Sequence, residues 1–136
     1  GDTTAGGAAR VDRVIADKPD IVILSLGGND LLRAAQPAQV QANLETILQR
    51  LKAANIRVLL AGHMAPLNYG QKYATDYNAI FPALSQKYGA VLYPSIMQGV
   101  LGQPGMLQAD GVHPTAEGID IMAEGLVSAL QPMLTK

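Results

Sequence analysis

The run Ile21-Val22-Ile23-Leu24-Ser25-Leu26, closed by Gly27-Gly28-Asn29-Asp30, constrains the fold more than any other stretch. An apolar, β-branched segment stopped by turn residues reads as a strand, Asp20 to Leu26, buried on both faces of a parallel sheet. Helical patterns flank it. Ala5 to Asp17 predicts a helix with Val11, Val14 and Ile15 inward, and Pro19 separates it from the strand. Beyond the glycines, Pro37 opens a second helix in which Val40, Leu44, Ile47, Leu48 and Leu51 recur at helical spacing, up to a stop near Ala54 and Asn55. Ile56 to Ala61 predicts a second strand. Tyr73, Tyr77, Ile80, Phe81 and Leu84 form one amphipathic stripe ending near Gly89, and Val91 to Tyr93 predicts a third strand. Ile119, Ile121, Met122, Leu126, Val127 and Leu130 complete a last helix. Strands alternating with helices imply a parallel sheet with right-handed crossovers: an α/β, three-layer α/β/α sandwich in flavodoxin-like order, one domain over residues 1–136.

Composition excludes several function classes. With 49% hydrophobic and 15% charged residues over 136 positions, the chain can bury a real core. A net charge of −1, with ten scattered basic residues and no aromatic interleaving, gives no field for nucleic acid. No apolar run approaches the roughly 18 residues that span a bilayer. The absence of cysteine permits an oxidising compartment without requiring one.

Two stretches carry chemistry. In open α/β sheets the reactive crevice lies beyond the carboxyl ends of the strands, where Asn29 and Asp30 would sit. An Asn carboxamide there can donate to a developing oxyanion, while the glycines let a substrate approach the backbone. The plain alternative is a strand-to-loop turn. The second stretch is Asp110-Gly111-Val112-His113-Pro114, with a carboxylate three residues before an imidazole. Such a pair suits a general base whose acid holds the ring tautomer and stabilises the imidazolium, although the segment also suits a simple turn before a helix.

Taken in order, Gly1-Asp2-Thr3-Thr4-Ala5-Gly6-Gly7, Gly27-Gly28-Asn29-Asp30 and Asp110-Gly111-Val112-His113-Pro114 resemble the SGNH hydrolases, also called GDSL-type esterases and lipases. The resemblance is strongest to the bacterial arylesterase, acyl-CoA thioesterase and lysophospholipase branch. It implies serine-dependent hydrolysis of carboxylic esters or thioesters. Asp110 and His113 would be the acid and base, and the Gly1 backbone N–H and the Asn29 carboxamide would be oxyanion donors. The stretch Gly62-His63-Met64-Ala65-Pro66-Leu67-Asn68-Tyr69-Gly70 is similar to the loop that lines the acyl pocket in this branch, so Met64, Pro66 and Tyr69 are substrate-binding candidates. Leu31 and Val112 complete that set. Leu31 and Leu32 suit either an acyl wall or packing against the next helix. The resemblance implies no cofactor and no metal, a small acyl ester or thioester as substrate, and a periplasmic or secreted location.

The GDS block with the nucleophilic serine has no match. Gly1-Asp2-Thr3 mimics it with threonine, but a GDS block should close a buried strand well upstream of the Asn block, and Asn29 follows Gly1 by only 28 positions. Gly1 therefore matches the oxyanion glycine of the second block. In that register the first strand, first helix and second strand of the fold are expected outside this sequence, together with the serine. The chain is then the C-terminal portion of a hydrolase domain, inactive alone. Ser25, Ser85, Ser95 and Ser128 lack an elbow context, and Ser25 is expected to point into packing. Three other readings stand beside this one: a binding module that has lost its nucleophile, a metal held by His63, Asp110 and His113, and a nucleotide-binding domain. The last lacks both a strand before Gly1–Gly7 and a P-loop lysine.

Overall fold

The computed structural model describes residues 2–134; Gly1, expected as an oxyanion donor, lies outside the described residues. The chain forms two compact units, Gly1–Pro94 and Ser95–Lys136. In the first, α1 (Thr4–Ala16) leads to β1 (Ile21–Leu24), the short α2 (Gly28–Leu32), α3 (Pro37–Ala53) and β2 (Arg57–Ala61). A 3-10 turn (Leu67–Tyr69), α4 (Gln71–Asn78), α5 (Ile80–Tyr88) and β3 (Val91–Tyr93) follow. The strands run parallel in the order β1-β2-β3, with Ile23 opposite Leu59 and Leu60 opposite Leu92. The α/β class and the parallel sheet agree with the pattern in the sequence.

Helix α3 is the keel of this unit. Pro37 sits in its first turn, where the missing N–H costs nothing. Val40, Leu44, Ile47, Leu48 and Leu51 then lie along one face, all buried. At about 1.5–3 kcal/mol for each fully buried aliphatic side chain, this stripe is a principal source of stability. It packs against α1, β2 and α5. Asn55 takes up φ 60°, the left-handed conformation that turns the chain from α3 into β2. Side chains alternate across a strand, so the burial of Val58, Leu59, Leu60 and Ala61 means that β2 is covered on both faces.

Four expectations need correction. β1 is shorter than Asp20–Leu26 and is not buried on both faces: it ends the described sheet, and Ile23 is 42% exposed. Ser25 lies past the strand and is exposed, not packed, because nothing among the described residues covers that edge. The stripe from Tyr73 to Leu84 belongs to two helices, broken at Ala79. Pro82 explains the break, since it has no N–H to donate to the carbonyl four residues back. In the second unit, α6 (Ala116–Leu134) forms as expected, but Ile119 and Val127 are exposed, while Ile121, Met122, Leu126 and Leu130 are half-buried.

Candidate active site

The carboxyl end of β1 turns sharply into α2. Gly27 makes the turn at φ 120°, a conformation closed to side-chain-bearing residues, and an added Cβ would sit 2.9 Å from the Tyr77 hydroxyl. Tyr77, fully buried on α4, donates that hydroxyl to the Gly27 carbonyl at 2.7 Å. Burial is the main reason its phenol is pushed far above the ordinary range, with Asp30 adding to it, so it stays a donor. Gly28 rests against the edge of the His63 ring, 3.1 Å from where its Cβ would be. The turn thus hands the chain to Asn29 on the first turn of α2.

Asn29 is half-buried, and its Nδ2 donates to the Asp2 carbonyl at 3.3 Å. A carbonyl partner fixes which end of the carboxamide faces it, so the second N–H of Nδ2 is left for another acceptor. Asn29 lines an open crevice of about 300 Å³ together with Asp2, Ser25, Gly27, Gly28 and His63. Arg10 holds Asp2 at the rim through a 2.9 Å ion pair, and this guanidinium, with the Thr3 N–H, lowers the Asp2 carboxyl below its usual range. Thr3 caps α1: its Oγ1 accepts from Gly6 N at 3.1 Å.

His63 lines the same crevice. It follows β2, and its ring lies 6.2 Å from that of Phe81, with Nε2 buried and without a hydrogen-bond partner among the described residues. Burial lowers its pKa, partly offset by the charge of Asp30, so the ring is a neutral wall of the crevice. The loop after it carries Met64 (50% exposed), exposed Pro66 and half-buried Tyr69. Asn78 fixes the loop, accepting from Ala65 N at 2.7 Å and donating to its carbonyl at 3.3 Å. Tyr69 stacks on Tyr73 with centroids 5.6 Å apart, and Tyr73 on Tyr77 at 6.1 Å. An aromatic ladder therefore links this loop to the residue that holds the Gly27 turn. Leu31 is half-buried and packs against the core of the unit.

In the second unit, residues 107–114 close into a pinch. Leu107 bridges Pro114, and Gln108 N donates to the His113 carbonyl at 2.7 Å. At its tip Gly111 takes φ 70°, which lets both following amides turn back on Asp110. Oδ1 accepts from Val112 N at 2.9 Å and His113 N at 3.0 Å, while Oδ2 lies 2.7 Å from His113 Nδ1. The His113 ring first, then these two amides, lower the Asp110 carboxyl to about 2. An ionised carboxylate accepts only, so Nδ1 is the donor, and in the neutral ring Nε2 is the nitrogen left to accept. The His113 side chain is 66% exposed, and Val112 beside it is 41% exposed. Thr115 ties this pinch to α6: its Oγ1 accepts from Gly118 N at 3.1 Å and donates to the Gly105 carbonyl at 2.8 Å.

Comparison with known proteins places the chain in a family. Residues 1–121 match the GDSL-like lipase/acylhydrolase family. The chain belongs to that family. It is 40% identical to Esterase TesA of Pseudomonas aeruginosa over 98% of its own length and 67% of the relative's. It is 38% identical to the Thioesterase 1/protease 1/lysophospholipase L1 of Escherichia coli K12, over 98% of this chain and 65% of that one. A crystal structure of TesA superposes with a TM-score of 0.90 at 40% identity, covering 97% of this chain and 74% of that one. The fold is therefore that of the SGNH hydrolases. The chain spans about two thirds of the length of these curated relatives. No helix among the described residues is long and apolar enough to cross a membrane.

Proposed function

We propose that the protein to which residues 1–136 belong hydrolyses carboxylic esters or thioesters with a serine nucleophile, this chain being the C-terminal portion of one hydrolase domain. The observation that carries the reading is the Asp110–His113 pair, with an ionised acid 2.7 Å from Nδ1. In this mechanism His113 Nε2 takes the proton of the serine hydroxyl as its oxygen attacks the acyl carbon. It then returns that proton to the leaving oxygen or sulfur, and water repeats the sequence on the acyl-enzyme. Asp110 holds the ring and balances the imidazolium. The Asn29 carboxamide, with the Gly1 N–H, donates to the tetrahedral oxyanion. Met64, Pro66 and Tyr69 contact the acyl chain, with Leu31 and Val112 as further contributors. The names of the relatives, esterase and thioesterase, support the reaction class.

We assign the serine to a segment upstream of the sequence described. Two observations support this. The relatives are about half as long again, and β1 pairs only with β2 among the described residues, leaving a parallel edge beside an apolar trough of about 190 Å³ lined by Val14, Val22, Ile23 and Leu26. An open apolar edge of that kind is normally paired or covered. A periplasmic or secreted location follows from the family resemblance alone. The test is hydrolysis of a short-chain aryl ester by the full-length protein and by His113→Ala. Loss of nearly all turnover in the variant supports the assignment; turnover unaffected by the substitution discards it.

A further inference from the structure

We infer that Asp30 is a positioning residue for the oxyanion donor, acting through Thr4 and Asp2 on the carboxamide of Asn29; the inference rests on the hydrolase reading above. Asp30 is 6% exposed and Thr4 fully buried, an unusual place for a carboxylate with no salt-bridge cation among the described residues. Both of its oxygens are used on one residue: Oδ1 accepts from Thr4 N at 2.8 Å and Oδ2 from Thr4 Oγ1 at 2.7 Å. Asn43, reaching from α3, donates to Thr4 Oγ1 at 3.1 Å. That bond occupies a lone pair of the hydroxyl and leaves its proton directed at Asp30.

The neighbouring residue completes a clasp. Asn29 Nδ2 donates to the Asp2 carbonyl at 3.3 Å, so the adjacent pair Asn29-Asp30 grips Asp2 and Thr4, the residues on either side of the N-cap Thr3 at the start of α1. An amide group held by one N–H has its plane set by that acceptor, and its second N–H then points in a defined direction. The acceptor in turn is only as fixed as the segment that carries it. Asp30, through its two bonds to Thr4, pins that segment, and a slack clasp would let the Asp2 carbonyl and the free Asn29 N–H drift together. Asp30 itself touches no substrate.

The clasp is tested in the full-length protein with Thr4→Val, which keeps the shape and removes the hydroxyl, with Asp30→Asn, and with Thr4→Ser as the restoring variant. Thr4→Val and Asp30→Asn are expected to lower kcat on a short-chain aryl ester by about tenfold to a hundredfold, the cost of an ångström-scale misplacement. KM should hardly move, because the lost interaction acts in the transition state. Thr4→Ser should return kcat to near the wild-type value. Nitrogen-15 spectra of the Asn29 side-chain amide give a second reading that needs no turnover: its two proton shifts, displaced in the wild type from those of a freely solvated carboxamide, should move toward the solvated values in Thr4→Val. Unchanged Asn29 signals in folded Thr4→Val and Asp30→Asn overturn the inference, as does a loss of kcat that Thr4→Ser fails to restore. Absence of ester hydrolysis in the wild type, with the Asn29 signals still responding to Thr4→Val, overturns the hydrolase reading and leaves the clasp standing.

Discussion

The Tyr77 hydroxyl and the Gly27 carbonyl, fifty residues apart in sequence, meet in a 2.7 Å hydrogen bond that holds the strand-to-helix turn from beneath. The same carbonyl accepts from Leu31 N at 2.9 Å, so removing the phenol oxygen leaves it with one partner of two. Tyr77→Phe should therefore cost only about 1 kcal/mol of unfolding free energy, the net worth of a single hydrogen bond. Urea denaturation measures this. Gly27→Ala should cost more, because it adds strain at φ 120° to a contact with Tyr77. A Tyr77→Phe variant less stable than Gly27→Ala would contradict this ordering.

The charge of Asp110 is set locally, and its pH behaviour follows. Its folded pKa, about 2, lies below the ordinary 3.8, so the turn is stabilised above that ordinary value. That contribution fades as the pH falls through about 2. A carbon-13 titration of the carboxyl should report the low value. His113→Ala should raise it toward 3.8 without reaching it, since the bonds from Val112 N and His113 N remain. In the full-length protein, Asp110→Asn removes the partner that fixes the Nδ1 tautomer and should lower kcat by about 10⁴-fold. Since Asp110 stays ionised throughout the neutral range, the acid limb of the pH–rate profile should not track it.

The parts of this architecture that the sequence discloses are those written in short spacings. Val40, Leu44, Ile47, Leu48 and Leu51 repeat every three or four residues, and one buried face of α3 results. Asp110 and His113 stand three apart with Gly111 between them, so their meeting is decided by a single turn. What was hidden depends on distant partners. Asp30 finds Thr4 across 26 positions and Tyr77 finds Gly27 across 50, and no local pattern encodes either pairing. The burial of His63 is of this kind too, since its cover comes from the β1 turn and from Phe81. Pro82, by contrast, was legible as a helix breaker, but the apolar stripe running past it on both sides masked the break at Ala79.

Asn29 offers a direct measure of oxyanion stabilisation. Removing one preorganised donor usually costs about 3 kcal/mol in the barrier, or 10²–10³ in kcat. Asn29→Ala in the full-length protein should show a loss of that order with some activity remaining, because other donors persist. Asn29→Asp should do worse, by setting an acceptor where a donor is needed. Steady-state kinetics on a short-chain aryl ester decides between them, and equal activity in Asn29→Asp and the wild type would remove Asn29 from the oxyanion site.

His63 makes stability fall on the acid side of neutrality. Burial lowers its folded pKa below the ordinary 6.5, because a charged ring would be stripped of water with no partner at Nε2 among the described residues. The charge of Asp30 works in the opposite direction and is the lesser influence. Between the two values the unfolded chain binds a proton that the folded one refuses, so stability present above pH 6.5 is lost as the pH falls through the folded pKa. His63→Gln has no proton to gain at this position, and its unfolding free energy should change less between pH 7.5 and pH 5.5 than that of the wild type, a contrast of roughly one proton's linkage at most. Paired urea titrations at the two pH values measure the difference. An identical slope for both proteins would mean that the ring is protonated as readily when folded as when unfolded, and the neutral wall assigned to His63 would have to be abandoned.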